Sequence, residues 1–293
     1  MRVAYRAGLN AMSSVFGAKH AKVFDARVRF GRKLDLNEPS TLADKICWLE
    51  FNEYAMSPLV ARCTSKAEVR GYLNDKGLGE YLVPLCCDPW LVSGDVDIEV
   101  LPDAFVMKAA QGCGMNRIVT DKSLEDKAKL ESLALRWLEE DYARACIEPH
   151  YLNVRHAVVC EELLAAPEEI VDYKVHCMNG KARLVQTCSD RASDLAESLY
   201  DMDWNPVEGL KGIRAQPVGR PVRLGLMREL AEFVAADFPY VRVDFYEVGG
   251  RVYFGELTFT PATGVLPHFS DDLVERLGGM LRIPTDDRKE AIE

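Results

Sequence analysis

The chain has 293 residues and a formal net charge of −10, with 48% hydrophobic and 28% charged residues. That length fits one large domain or two small ones with a sizeable core, and the composition excludes a disordered chain. The acidic balance argues against nucleic acid as the main partner, because phosphate binding needs a basic face.

Charge is unevenly spread along the chain. Residues 1–33 hold eight Lys/Arg and one acid, Asp25, which leaves −17 on the remainder. This basic arm reads as a solvated leading helix, with contact to a membrane surface, nucleic acid or an acidic partner as the alternatives. A turn at Asn37-Glu38-Pro39-Ser40 precedes a helix opened by Thr41 and Asp44, with Leu42, Ile46 and Leu49 on one side. Ser65 and Glu68 open another, with Val69, Tyr72 and Leu73 as its apolar face and Gly77 as its stop. Strand-like runs follow at 81–85, 104–109 and 117–121, and Ser123 with Asp126 starts a helix striped by Leu130, Leu133, Trp137 and Leu138. Beyond it the pattern predicts a strand at 157–163, a hairpin of 170–178 and 181–188 around Asn179-Gly180, and a helix over 221–236. A last hairpin, 240–247 and 251–259, surrounds Gly249-Gly250. Mixed strands, hairpins and helices without strict βαβ alternation point to an α+β fold.

Nine cysteines, odd in number and without a CxxC pair, predict reduced core residues in a cytoplasmic protein, and no run approaches transmembrane length. The five histidines lack metal-ligand spacing. Four clusters could carry chemistry. Lys108 ends an apolar strand and is followed by the glycine-containing loop Gln111-Gly112-Cys113-Gly114-Met115-Asn116, where backbone N–H groups could approach phosphate oxygens; no helix follows directly, so this is neither a Walker A loop nor a dinucleotide fingerprint. Glu161-Glu162-Leu163 closes an apolar strand and could offer backbone groups to a base. Strand alternation puts Asp172, Lys174 and His176 on one face, with a two-residue turn placing Arg183 opposite His176, and Arg191 nearby; such a face suits an anion. Finally, Arg242 and Asp244 share a strand face, as do Glu256 and Thr258 on the partner strand. A two-residue loop at Gly249-Gly250 would set Asp244 and Glu256 on opposite faces, whereas a three-residue loop with a glycine bulge would converge all four. Two carboxylates there would make a hard-oxygen Mg²⁺ site shared with nucleotide phosphates.

In their order along the chain these clusters resemble the ATP-grasp superfamily and, more closely, the TupA-like ATP-grasp family associated with cell-surface polymer biosynthesis. The resemblance runs from about Leu34 to Leu281 and includes Lys33-Leu34-Asp35-Leu36-Asn37-Glu38-Pro39, Asp172-Tyr173-Lys174, Ser189-Asp190-Arg191, Tyr200-Asp201-Met202-Asp203-Trp204 and the Arg242/Asp244/Glu256/Thr258 set. It implies an α+β ATP-grasp fold with the nucleotide held between two lobes: a basic helical lead-in at 1–33, a helical region at 34–100, ATP-grasp lobes over 101–285 with a hinge near 161–165, and a tail at 286–293. The implied roles are ATP binding by Lys108, by Gly112, Cys113, Gly114 and Met115, and by the hinge Glu161, Glu162 and Leu163. Mg²⁺ would be held by Asp244, Glu256 and Thr258, with Lys174, Arg191 and Arg242 as the residues acting on phosphate or substrate. Thr258 replaces the superfamily's commoner Asn, and Ala262 stands where related chains often carry Gly. The implied activity is Mg-ATP-dependent ligation of a carboxylate to an amine through an acylphosphate, on a small molecule or polymer precursor. A kinase acting on a hydroxyl and a glycosyltransferase are the alternatives; Asp201-Met202-Asp203 has the spacing of a sugar-nucleotide motif but reads as structural.

Overall fold

The computed structural model describes residues 2–189 and 195–284, without side-chain placement at 2–4, 6, 144 and 145. Arg191 and the tail at 286–293 therefore lie outside the described residues. The chain opens with a helical hairpin, α1 (Arg2–Phe16) and α2 (Ala18–Phe30), joined at Gly17, whose φ of 88° suits a residue without Cβ. Helix α3 (Leu42–Asn52) starts on a full capping box: the Thr41 hydroxyl accepts from the Asp44 N–H, and the Asp44 carboxylate accepts from the Thr41 N–H. Helices α4 (Pro58–Thr64) and α5 (Val69–Asp75) follow, the first capped by Ser57.

Two separate sheets organise the rest. The smaller has the order β2-β1-β3, built from β1 (Phe105–Ala109), β2 (Asn116–Val119) and β3 (Val158–Glu162), all antiparallel. Its core packs Phe105, Met107, Val158 and Cys160 against Leu130, Ala134 and Trp137 of α6 (Lys127–Glu139). A short helix, α7 (Tyr142–Cys146), leads towards β3.

The larger sheet has the order β7-β6-β5-β4-β8-β9. It comprises β4 (Asp172–Met178), β5 (Lys181–Ser189), β6 (Ala196–Tyr200), β7 (Arg214–Ala215), β8 (Tyr240–Val248) and β9 (Arg251–Thr258). Helices α3 to α5, α8 (Leu224–Ala235) and α9 (Asp271–Gly278) cover the face that carries Val175, Cys177, Val241, Val243 and Leu257. The opposite face of β4 and β8 turns toward the small sheet, with Asp172, Lys174, Arg242 and Asp244 lining the space between. The run 81–85, expected as a strand, instead forms single bridges to both sheets, Leu82 to Phe254 and Leu85 to Glu161.

The basic arm is two helices rather than one, and it is not simply solvated. Ala21, Lys22, Asp25 and Ala26 are buried, and Lys22 meets Glu50 of α3 at 3.0 Å. Buried Arg32 donates to the carbonyls of Leu266 and Phe269 at 3.3 and 2.6 Å. Charges that would oppose burial find counter-charges or carbonyls on the body, so the arm docks. No helix among the described residues is long and apolar enough to cross a membrane.

Candidate active site

A cavity of about 610 Å³ lies between the two sheets. Lys108, Gly112, Cys113, Gly114, Met115, Glu161, Glu162, Leu163, Lys174, Arg242, Asp244 and Glu256 all line it. In the small lobe, strand alternation sends Phe105, Met107 and Ala109 into the core and turns Val106 and Lys108 to the cavity. Lys108 Nζ sits 2.5 Å from Glu161 Oε2, and Arg70 approaches the other Glu161 oxygen at 3.6 Å. The 111–116 loop is tight at Gly112, where a Cβ would fall 2.6 Å from Met115 Sδ and 3.1 Å from the Tyr142 ring. Lys66, at the α4–α5 junction, donates to the Gly112 carbonyl at 2.7 Å and pairs with Glu256 at 3.4 Å, so one ammonium touches both lobes. Gln111 points inward instead: its amide donates to the Trp137 carbonyl and accepts from the Ala157 N–H.

The large sheet supplies the other wall. Asp244 pairs directly with Glu256, Lys174 with Asp244, and Arg242 with Thr258. The last hairpin has the two-residue Gly249-Gly250 loop, yet Asp244 and Glu256 share a face. A register shift between Asp244 and Phe245, with Gly255 as the extra residue on β9, restores the alignment. Convergence of Arg242, Asp244, Glu256 and Thr258 thus arises from a mid-strand bulge and not from a longer turn. Lys174 Nζ lies 2.5 Å from Asp244 Oδ2 and 4.0 Å from Asp172. Arg242 makes a bidentate fork to Asp244, both contacts at 2.7 Å, and reaches Glu256 at 3.3 Å and the Thr258 hydroxyl at 3.0 Å. Burial raises the cost of charging Glu256, but Lys66, Lys174, Arg242 and Lys108 together hold its carboxyl well below the usual range. Burial likewise works against the Arg242 cation, and Asp244 and Glu256 more than offset it.

Two expectations change. Thr258 does not line the cavity; its hydroxyl accepts from Arg242 and donates to Glu256, so it supports the arginine. Arg183 is exposed and is not opposite His176, because a bulge at His176/Cys177 pairs His176 with Leu184 and Lys174 with Gln186. Asp201 accepts from the Asp203 and Asn205 N–H groups in a turn, the structural role expected of Asp201-Met202-Asp203. Arg191 lies outside the described residues. Ala262 sits at φ 48°, a left-handed conformation that glycine would adopt without strain. Sequence reasoning missed Lys66, Arg70, Gln186 and Glu197, each brought to the site by tertiary packing. The signal available for Lys66 was its place beside the Ser65 helix start.

A model of the TupA-like ATPgrasp family matches residues 44–282. No curated protein sequence matches the chain. Among solved structures it is similar to D-cycloserine synthetase DcsG at 14% identity and a TM-score of 0.45, over 78% of this chain and 72% of that one. It is similar also to D-alanine–D-alanine ligase from Bacillus anthracis complexed with ATP, at 17% identity and a TM-score of 0.46, over 74% of this chain and 61% of that one. ATP-grasp ligase PsnB complexed with its minimal precursor aligns at 16% identity and a TM-score of 0.41, over 76% of this chain and 61% of that one.

Proposed function

The chain belongs to the TupA-like ATP-grasp family, and on that premise we propose that it is a Mg-ATP-dependent carboxylate–amine ligase that forms ADP and works on a cell-surface polymer or peptide-conjugate precursor in the cytoplasm. The observation that carries the reading is the division of labour across one cavity. Lys108 and the 112–115 loop come from the small sheet, and Lys174, Arg242, Asp244 and Glu256 come from the large one.

ATP would lie between the sheets, with its adenine at the strand end Glu161-Glu162-Leu163 and its phosphates toward Lys108 and Lys66. Among the described residues no group of three His, Cys, Asp or Glu side chains could hold a metal. The fit to Mg²⁺ is instead that of two hard carboxylates, Asp244 and Glu256, directly opposite across β8–β9 and facing the cavity. That donor set suits an ion whose remaining ligands are water and phosphate oxygens. Such an ion, when bound, supplies charge neutralisation to the phosphate chain. The γ-phosphoryl group passes to the substrate carboxylate, breaking its bond to the β-phosphate and giving ADP and an acylphosphate. The amine then attacks the acyl carbon, and phosphate leaves as the amide forms. Arg242 and Lys174 place positive charge where the transferring group gains negative charge, and Lys108 holds the chain in line. No side-chain nucleophile is required. These cations are paired with Glu161, Asp244 and Glu256, so nucleotide binding would exchange carboxylate partners for phosphate.

The test is a screen of carboxylates and amines with Mg-ATP, reading ADP and phosphate together with the product mass. Ligation requires turnover that depends on both substrates; a stable phosphorylated hydroxyl product would replace this reading with a kinase. Glu256→Gln should abolish the turnover in a protein that remains folded.

A further inference from the structure

The cavity extends past the nucleotide residues to the outer strands of the large sheet, and one acid there is unlike the others. Glu197 stands on β6, opposite Cys188 of β5, is only 7% exposed, and lines the cavity. Its Oε2 accepts from Gln186 Nε2 at 2.8 Å and its Oε1 from the Cys188 thiol at 3.6 Å. Both donors are neutral, and no Lys or Arg among the described residues pairs with it. Every other buried carboxylate of the cavity faces a cation: Glu161 has Lys108, and Asp172 and Asp244 have Lys174. A carboxylate withdrawn from water without a counter-charge is costly to keep.

The hydrogen bonds behind Glu197 all run one way. Buried His176 contacts the Tyr240 hydroxyl through Nδ1 at 2.9 Å and Gln186 Oε1 through Nε2 at 3.1 Å. With the Gln186 amide nitrogen on Glu197, its carbonyl must accept from His176 Nε2–H, and Nδ1 must accept from Tyr240. Each member donates toward the cavity, and the chain ends on a group that can only accept. An ionised carboxylate accepts about four hydrogen bonds, and the described residues supply two. Strands lie about 4.8 Å apart, so β6 is roughly 14 Å from β8 and its carboxylate does not share an ion with Asp244.

We propose that Glu197, held by Gln186 and His176, is the recognition point for a primary ammonium group on the substrate, such as that of an amino acid, an amino sugar or a peptide N-terminus. The inference deepens the ligase reading by assigning the substrate side of the same cavity. An ammonium supplies both a counter-charge that the described residues do not and donors for further acceptor positions.

The test uses the full chain in thermal-shift measurements with paired probes: primary amines (amino acids, amino sugars and diamines) and their N-acetyl counterparts, each with and without Mg-ADP. At least one amine should raise Tm where its acetylated twin does not. Glu197→Gln should weaken that amine's apparent affinity at least tenfold while keeping the shift given by Mg-ADP. Glu197→Lys, which supplies its own ammonium, should lose the amine response in the same way even if the glutamine variant folds poorly. The proposal is overturned if no amine outperforms its acetylated twin on the wild type, if both variants keep the response, or if KCl reproduces it against choline chloride. Absence of any Mg-ADP shift in the wild type would count against the nucleotide reading alone, since the amine arm is read separately without nucleotide.

Discussion

Acid should act on this protein through His176. Its ring is fully buried beneath the cavity floor, between Tyr240 and Gln186. Burial, reinforced by the Arg242 charge and opposed by the Gln186 hydrogen bond and Asp244, pushes its pKa down to about 3 from 6.5. The unfolded chain therefore takes up this proton before the folded one does. Stability from His176 is complete above pH 6.5 and is lost as pH falls toward 3. At about 1.4 kcal/mol per unit, lowering pH from 7 to 5 should remove about 2 kcal/mol, and the full loss approaches about 5 kcal/mol. Other buried groups titrate in the same window: His150, pushed by burial down to about 3, acts in the same direction, and Glu50, whose carboxyl is raised to about 8, acts in the opposite one. The assay is therefore a difference: urea unfolding at pH 7 and pH 5 for the wild type and for His176→Gln. The wild type should lose about 2 kcal/mol more than the variant across that step. Equal losses would refute the claim that the histidine is held neutral by its surroundings.

Further outcomes test the site and the packing. Lys108→Ala should weaken Mg-ATP binding by ten- to a hundredfold, as expected for about 1.5–3 kcal/mol of charge-assisted hydrogen bonding, measured by titration calorimetry. Lys174→Met should leave the fold intact because Asp244 keeps both contacts to Arg242, and should tighten Mn²⁺ binding without nucleotide by about tenfold, read by electron paramagnetic resonance. Gly278→Ala should cost about 3 kcal/mol or more, seen as a lower urea midpoint, because the added Cβ would lie 2.3 Å from the Ser40 carbonyl oxygen and 2.7 Å from the Leu42 nitrogen, and backbone cannot step aside.

Local signals in the sequence carried much of the fold. The Thr41/Asp44 capping box, the Asn179-Gly180 turn and the Gly249-Gly250 turn each depend on a few adjacent residues, and each is where the pattern puts it. Register was less legible. Both hairpins contain a bulge, and a bulge leaves no mark in alternation except a residue such as Gly255, which also suits a regular strand. Hence Arg183 was aligned with His176, and the convergence of Asp244 on Glu256 was traced to loop length. Lys66 and Arg70 escaped notice because their contacts span 46 and 91 residues of chain, respectively to Gly112 and Glu161. Glu197 has no local motif at all; only its burial beside Gln186 distinguishes it from a surface acid. The arm at 1–33 looked detachable because its charge differs from the body's, yet that difference is what lets Lys22 and Arg32 bury.

The mutual pairing of the cavity's charges also bears on how fast an anion can arrive. Lys108, Lys174 and Arg242 are each matched by a carboxylate a few ångströms away, so their fields cancel within a short distance of the mouth. What an approaching nucleotide meets from afar is the net −10 of the whole chain. At low ionic strength that field repels Mg-ATP, and added salt, which shortens the Debye length to about 10 Å at 0.1 M, relieves it. Encounter should therefore quicken as salt rises from millimolar to physiological levels, the reverse of electrostatic steering. Attraction takes over only inside the cleft, where phosphate begins to displace the carboxylates one pair at a time.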